Sequence, residues 1–286
     1  INIITNPTNK NNNNFASYQR GSFNTNNYKV NLNNIIADYN INTYVNYKET
    51  DGYRDENQQL QTNISTKINL PFKLMKDFIQ INYNEQIMST PSHRTQSQLY
   101  KNRKGSGTPD DFINSYGGSL LYGTEYKFNK NLDFSLNTSY RKKRSYYDLQ
   151  SSNWPSYGDT TLDNIQFSPR LNKKFSINNN ILNTVFGFDL QRSKYHSFRK
   201  EDQNAIPLHE YTSDLEAQAI YLQNNYTISP SLKLGVGFRL QRNLIKISDN
   251  VNSNAPDYSN WTVHHENLSK TETNYSYSFG LEKNYK

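Results

Sequence analysis

The sequence predicts an all-β fold, an antiparallel up-and-down meander of about twelve strands. Three observations carry that reading: apolar residues alternate at period two along most of the chain, no comparable helical stripe interrupts them, and short connections alternate with long ones. Composition narrows the setting. Only 34% of the 286 residues are hydrophobic and the mean hydropathy is −0.95, so a packed water-soluble core is undersupplied. Disorder is a poor alternative, because disordered chains lack aromatics and this one has 23 Tyr, 14 Phe and 2 Trp. No window approaches the ~18 consecutive apolar residues of a membrane-spanning helix. A spanning sheet needs apolar residues at alternate positions only, so a transmembrane β-barrel fits a hydrophilic average.

The expected strands run in order over 15–24, 28–34, 39–48, 58–70, 78–88, 114–128, 132–144, 162–175, 181–195, 214–228, 232–248 and 274–285. The fourth alternates most clearly, with Leu60, Thr62, Ile64, Thr66, Ile68 and Leu70 on one face and Gln61, Asn63, Ser65, Lys67 and Asn69 on the other. Leu120, Tyr122, Tyr126 and Phe128 share a face in the sixth, as do Leu132, Phe134, Leu136 and Tyr140 in the seventh. The pattern returns in Leu182, Phe186, Phe188 and Leu190, in Leu234, Val236, Phe238 and Leu240, and in Tyr275, Tyr277, Phe279 and Leu281. Several strands exceed the ~9–11 residues that cross a bilayer, so they should project beyond it. Apolar positions are expected outward, with Asn, Gln, Ser, Thr and Lys facing the lumen.

Short links at 35–38, 71–77, 129–131, 176–180 and 229–231 alternate with longer ones at 49–57, 89–113, 145–161, 196–213 and 249–273. Outer-membrane barrels have short periplasmic turns and long extracellular loops, which orients the sheet. The short first link, 25–27, is the exception. Most prolines fall in connections, where no ladder hydrogen bond is lost. Pro169 falls inside the eighth strand, and a bulge is expected there. Asn11–Asn14 reads as a flexible linker.

The net charge of +7 is dispersed, and with no Cys there is no thiolate nucleophile, disulfide or cysteine-ligated metal. His93, His196, His209, His264 and His265 fall in or beside the long links, without metal-ligand spacing. No cofactor or resident metal is expected. No G-x-S-x-G elbow, H-E-x-x-H or Walker loop occurs, so an enzyme has no motif to rest on. Gly105-Ser106-Gly107 reads as a flexible loop. Aromatics share faces with Leu, Ile and Val while basic residues cluster in loops, which disfavours nucleic acid as a partner.

A family resemblance enters at two places. Ile1-Asn2-Ile3-Ile4-Thr5 resembles the segment that closes the plug domain of TonB-dependent outer-membrane receptors, and Asp51-Gly52-Tyr53-Arg54-Asp55, at the top of the third strand, resembles an element common in the same family. The resemblance implies a 22-stranded barrel filled by a plug and energised through TonB. Residues 1–14 would then be the plug's end and linker, and 15–286 roughly the first half of the barrel. It also implies partners outside this chain: its own plug, TonB, outer-membrane lipid and lipopolysaccharide, and a scarce large solute.

Among that family's usual cargoes, a ferric siderophore or other iron complex suits the basic and aromatic residues of the long links. The candidate mouth contacts are Arg94, Arg103, Lys104, Tyr146, Trp154, Tyr157 and Trp261. Cations there focus the field on an anionic solute, and Tyr and Trp offer broad contact area with a polar tip. Alternatives are a passive porin, a structural or adhesive barrel, and a soluble all-β binding module.

Overall fold

The computed structural model describes residues 14–71, 75–150, 155–178, 180–252, 254 and 266–283. The strands are β1 (Phe15–Arg20), β2 (Asn26–Ile36), β3 (Tyr39–Thr50), β4 (Gln59–Pro71), β5 (Met75–Ser89), β6 (Phe112–Asn129), β7 (Leu132–Leu149), β8 (Ser156–Ile177), β9 (Asn180–Lys200), β10 (His209–Ser229), β11 (Leu232–Val251) and β12 (Leu268–Lys283). They form one antiparallel sheet in strict chain order, with β1 and β12 at its edges. All twelve expected strands are present. Among the described residues there is one short helix, α1 (Gln96–Lys101), where the sequence predicts only a link.

Register turns the alternation into two surfaces. Met75, Tyr126, Phe134, Leu171, Phe186, Leu222, Phe238 and Tyr277 align in one unbroken apolar row from β5 to β12. One residue along, Glu125, Ser135, Arg170, Gly187, Tyr221, Arg239 and Ser276 make a polar row on the opposite face. Ile64, Ile68, Leu136, Leu190 and Leu234 all lie on the apolar side. Lipid cannot satisfy amides or carboxylates, so the apolar side faces the bilayer and the polar side the lumen. From Phe175 to Ile165 the outward positions of β8 span ten residue steps, about 33 Å of strand at ~3.3 Å each. At a tilt of about 40° that is roughly 25 Å of bilayer, the height of a barrel's apolar band.

The lumenal side satisfies itself with cross-strand amides. Asn27 Nδ2 donates to Gln19 at 3.2 Å, and Asn46 Nδ2 donates to Asn27 at 2.6 Å. Ser65 and Ser119 both hydrogen-bond Asn82, at 2.7 and 3.0 Å. Asparagine, otherwise a poor strand former, is useful here because it bonds laterally where no core exists to pack against.

The turns at one end are tight, with links of two residues at 37–38, 130–131 and 230–231. Ala37 and Asp38 both take positive φ, 47° and 73°, the twist that suits a two-residue hairpin. The opposite end carries 51–58, 90–111 and 201–208. The short first link lies at this end too, tied to the start of link 51–58 by Asp51 N–H donating to Phe23 O at 3.0 Å.

Two expectations need correction. Pro169 causes no bulge: it stays paired with Leu136, and β8 is in one register with β9 before and after it, Phe167 facing Leu190 and Arg170 facing Gly187. Only the pairing of Ser168 and Pro169 with β9 is missing. The absent N–H therefore interrupts the ladder locally without inserting a residue. The second correction concerns strand length. The link expected at 145–161 is only 150–155, and β9 and β10 likewise extend into the expected 196–213 link. Above the lipid both faces meet water, so the hydropathy signal fades while the backbone ladder continues.

Candidate functional site

The end with the long links presents three constellations. The first joins two loops. Arg54 Nη1 donates to Ser92 O at 2.6 Å, and its Nη2 donates to Pro91 O at 2.9 Å and Gly105 O at 3.1 Å. Asp55 N–H donates to Lys104 O at 2.7 Å. Arg94 reaches Asn102 O and Gly105 O from within the same loop. Five bonds from two guanidinium groups thus hold loop 90–111 by its carbonyls. A capping box at Thr95 and Gln98 starts α1 inside the long link. Gly105 is not simply flexible: a Cβ there would lie 2.5 Å from Arg94 Nη1. Arg103 and Lys104 stand exposed on this framework.

The second constellation is on the lumenal side of the projecting hairpins. Tyr147, Gly158, Arg199 and His209 align across β7 to β10, with Ser145, Thr160, Ser197, Tyr211 and Asp249 in the adjacent lumenal row. The Tyr147 ring fills the space of the missing Gly158 side chain, where a Cβ would lie 2.4 Å from a ring carbon. His209 stacks on Tyr211 with centroids 5.3 Å apart and planes at 2°, and Arg199 lies 5.8 Å from the Tyr211 centroid. His209 Nδ1 and Asp249 Oδ1 are 2.9 Å apart, both buried. Burial raises the Tyr211 hydroxyl above its ordinary pKa; Asp249 adds to that and Arg199 opposes it.

The third lies on the outward side. Tyr146 and Tyr157 have centroids 6.5 Å apart, and Tyr157 stacks on Phe198 at 6.4 Å. Beside them Arg144 Nε donates to both Asp159 oxygens at 3.0 Å, and its Nη1 donates to the Tyr116 hydroxyl at 3.2 Å. These bonds hold the guanidinium charged further up in pH than an ordinary arginine. The Tyr157 hydroxyl is raised by burial first and by Asp159 second.

The expected contacts therefore separate. Arg94, Arg103 and Lys104 share one loop, with Arg94 turned to its carbonyls and the other two exposed. Tyr146 and Tyr157 come together in strands rather than loops, on the side continuous with the apolar face. Trp154 and Trp261 lie outside the described residues, as do His264, His265 and residues 1–13. His196 and His209 are strand residues. Sequence reasoning missed Arg199 and the His209–Asp249 pair, because those partners are 40 positions apart and are brought together only by the β10–β11 register. Among the described residues no group of three or more His, Cys, Asp or Glu could hold a metal ion.

This architecture has known counterparts. Residues 76–285 match the model of the TonB dependent receptor-like β-barrel family. The ferric citrate transporter FecA in its unliganded form superposes with a TM-score of 0.74 at 13% identity, over 90% of this chain and 39% of that one. The alcaligin outer-membrane receptor FauA of Bordetella pertussis gives 0.73 at 11%, over 93% and 40%. BauA, the ferric preacinetobactin receptor of Acinetobacter baumannii, gives 0.70 at 11%, over 94% and 45%. The chain spans less than half the length of each, and at these identities the likeness is one of fold. No curated protein matches in sequence. With the family model matching more than half of it, the chain belongs to the TonB-dependent receptor β-barrel family, whose members are transport receptors of the Gram-negative outer membrane.

Proposed function

We propose that this chain is part of a receptor that actively imports a ferric siderophore or other iron complex across the outer membrane, without enzymatic activity of its own. The observation that carries the reading is the pairing of exposed cations with ordered aromatics at the long-link end: Arg103 and Lys104 on a loop clamped by its carbonyls, and Arg199 over Tyr211 on the lumenal side. A cationic mouth with stacking surfaces suits a large anionic chelate having planar or apolar parts. The solved relatives named above are described as receptors or transporters of ferric citrate, alcaligin and ferric preacinetobactin, which supports the same cargo class.

In this reading residues 1–14 are the end of a plug and its linker, 15–286 are the first half of the barrel, and TonB acts through the plug. Arg103 and Lys104 make the first electrostatic contacts. Arg94 shapes the loop that carries them, and Trp154 and Trp261 are further contacts of the mouth, whereas Tyr146 and Tyr157, expected there too, lie on the outward side and are not among its contacts. The test is uptake of labelled iron chelates by cells expressing the full-length receptor, comparing wild type with Arg103→Ala/Lys104→Ala. Lower uptake in the double variant is expected, through a raised half-saturation concentration. No chelate uptake by wild type would overturn the cargo, and undiminished uptake in the variant would overturn the two contacts.

A further inference from the structure

Above the lipid the lumenal side should stay as hydrophilic as it is lower down, and over β8 to β12 it does not. Leu162 pairs with Tyr195, Leu215 with Ile245 and Ile247 with Leu268, all on the lumenal side of their strands. Only Ser193 and Ser213 interrupt them. Leu162, Tyr195, Leu215 and Ile245 lie nearer the long-link end than Asp163, Arg192, Glu216 and Arg242, where the outward side of the same strands has already turned charged. Tyr195, Ile247 and Leu268 are 39%, 42% and 47% exposed. From β8 to β12 the stretch is roughly 19 Å wide at ~4.8 Å per strand. A contiguous apolar surface of this kind, set in a polar wall, marks a place that something covers.

Beside its β8 edge the same wall carries positive charge. Arg141 and Lys143 are both lumenal; Arg141 is exposed, and the half-buried Lys143 pairs directly with Leu162. Among the described residues neither is in an ion pair. Their ladder partners on β6 and β8 are Ser119, Gly117 and Asn164, and across β6 come Asn82 and Asn84, so no carboxylate stands beside them. The lumenal carboxylates of β9 to β12 are engaged elsewhere, Asp189 by Arg239, Asp249 by His209 and Glu272 by Lys270. Two uncovered cations thus adjoin an uncovered aliphatic surface.

We infer that this wall binds an amphiphilic anion, its acidic head held by Arg141 and Lys143 and its aliphatic chain laid across the apolar residues toward β12. Charge and apolar area lie side by side, in the order in which a headgroup and a chain would meet them. Five of the six apolar residues are Leu or Ile, which pack against methylenes and offer no ring face for stacking. Applied to the iron complex proposed above, and resting on that reading, the cargo is a chelate that bears an acyl arm. The surface itself requires an anion with a chain and does not depend on iron.

The test uses the purified full-length receptor in amphipol and equilibrium dialysis of radiolabelled probes, with empty amphipol subtracted. The probes are a ferric trihydroxamate with a free carboxylate and an N-acetyl arm, the same chelate with an N-decanoyl arm, and decanoate alone. The decanoyl chelate should bind about a hundredfold tighter than the acetyl one, because part of its chain leaves water. Ile247→Asn should remove about tenfold of that gain and leave the acetyl chelate within about twofold. Lys143→Gln should weaken both chelates alike, by about tenfold, whereas Lys142→Gln, the same charge change on the outward side, should leave both within about twofold. Decanoate binding that responds to Ile247→Asn and Lys143→Gln while neither chelate binds would uphold the surface and overturn the iron cargo. Chelates that bind equally with either arm would uphold the cargo and overturn the surface, as would a decanoyl gain that survives Ile247→Asn or equal losses in Lys142→Gln and Lys143→Gln.

Discussion

Replacing Arg54 with alanine should release loop 90–111 without unfolding the sheet. Its guanidinium makes three bonds to carbonyls of that loop, at 2.6, 2.9 and 3.1 Å. Bonds from a charged donor contribute about 1.5–3 kcal/mol each, and the half-buried setting argues for the low end. Roughly 3–5 kcal/mol of local stability is therefore at stake. The loop keeps other ties, including Gly107 N–H to Pro91 O at 3.0 Å and Thr108 Oγ1 to Thr90 O at 2.7 Å, so the effect is a lowered opening free energy. The reporter is the Asp55 amide, which donates to Lys104 O across the two loops. Hydrogen exchange of the full-length receptor should show that amide exchanging about a hundredfold to a few thousandfold faster in Arg54→Ala, since ~1.4 kcal/mol is a factor of ten. Arg54→Lys should recover part of the protection, because an ammonium cannot span three carbonyls in fork geometry. Unchanged exchange at Asp55 and Gly107 in Arg54→Ala, with the strands still protected, would refute the clamp.

Two further outcomes follow from facing and burial. Leu136→Arg places a cation on the lipid side near the middle of the apolar band and should cost ~2–4 kcal/mol and impair assembly, whereas the adjacent lumenal Asn137→Arg should assemble normally; the opposite result, scored by recovery in the outer-membrane fraction, would reverse the two faces. Tyr157 is raised above an ordinary tyrosine by burial, then by Asp159, so the folded state keeps a proton that the unfolded chain gives up above about pH 10. Its contribution is complete below that pH and declines as pH rises through and beyond it. Thermal melts of the full-length receptor should show Tyr157→Phe losing less stability between neutral and strongly alkaline pH than wild type; parallel losses would refute the burial argument.

Much of the fold was legible in the chain, and for a local reason. A strand in lipid shows alternate residues to hydrocarbon, so Leu60 to Leu70 or Leu232 to Leu240 declare both the strand and its outward face without reference to any neighbour. The meander follows from links too short for any crossover, such as 37–38 and 130–131. Above the lipid that local signal ends. Whether β7 continues past Arg144 depends on β8 continuing beside it, and only with that ladder in place does the parity of Leu136 extend to Tyr146 outward and Tyr147 lumenal. The same dependence hid the His209–Asp249 pair. It also hid the role of Arg54, whose partners are backbone carbonyls: every residue has one, so no side-chain pattern in the sequence marks them. Facing is a property of one strand and could be read from it; contact is a property of register and loop docking, which only the tertiary structure decides.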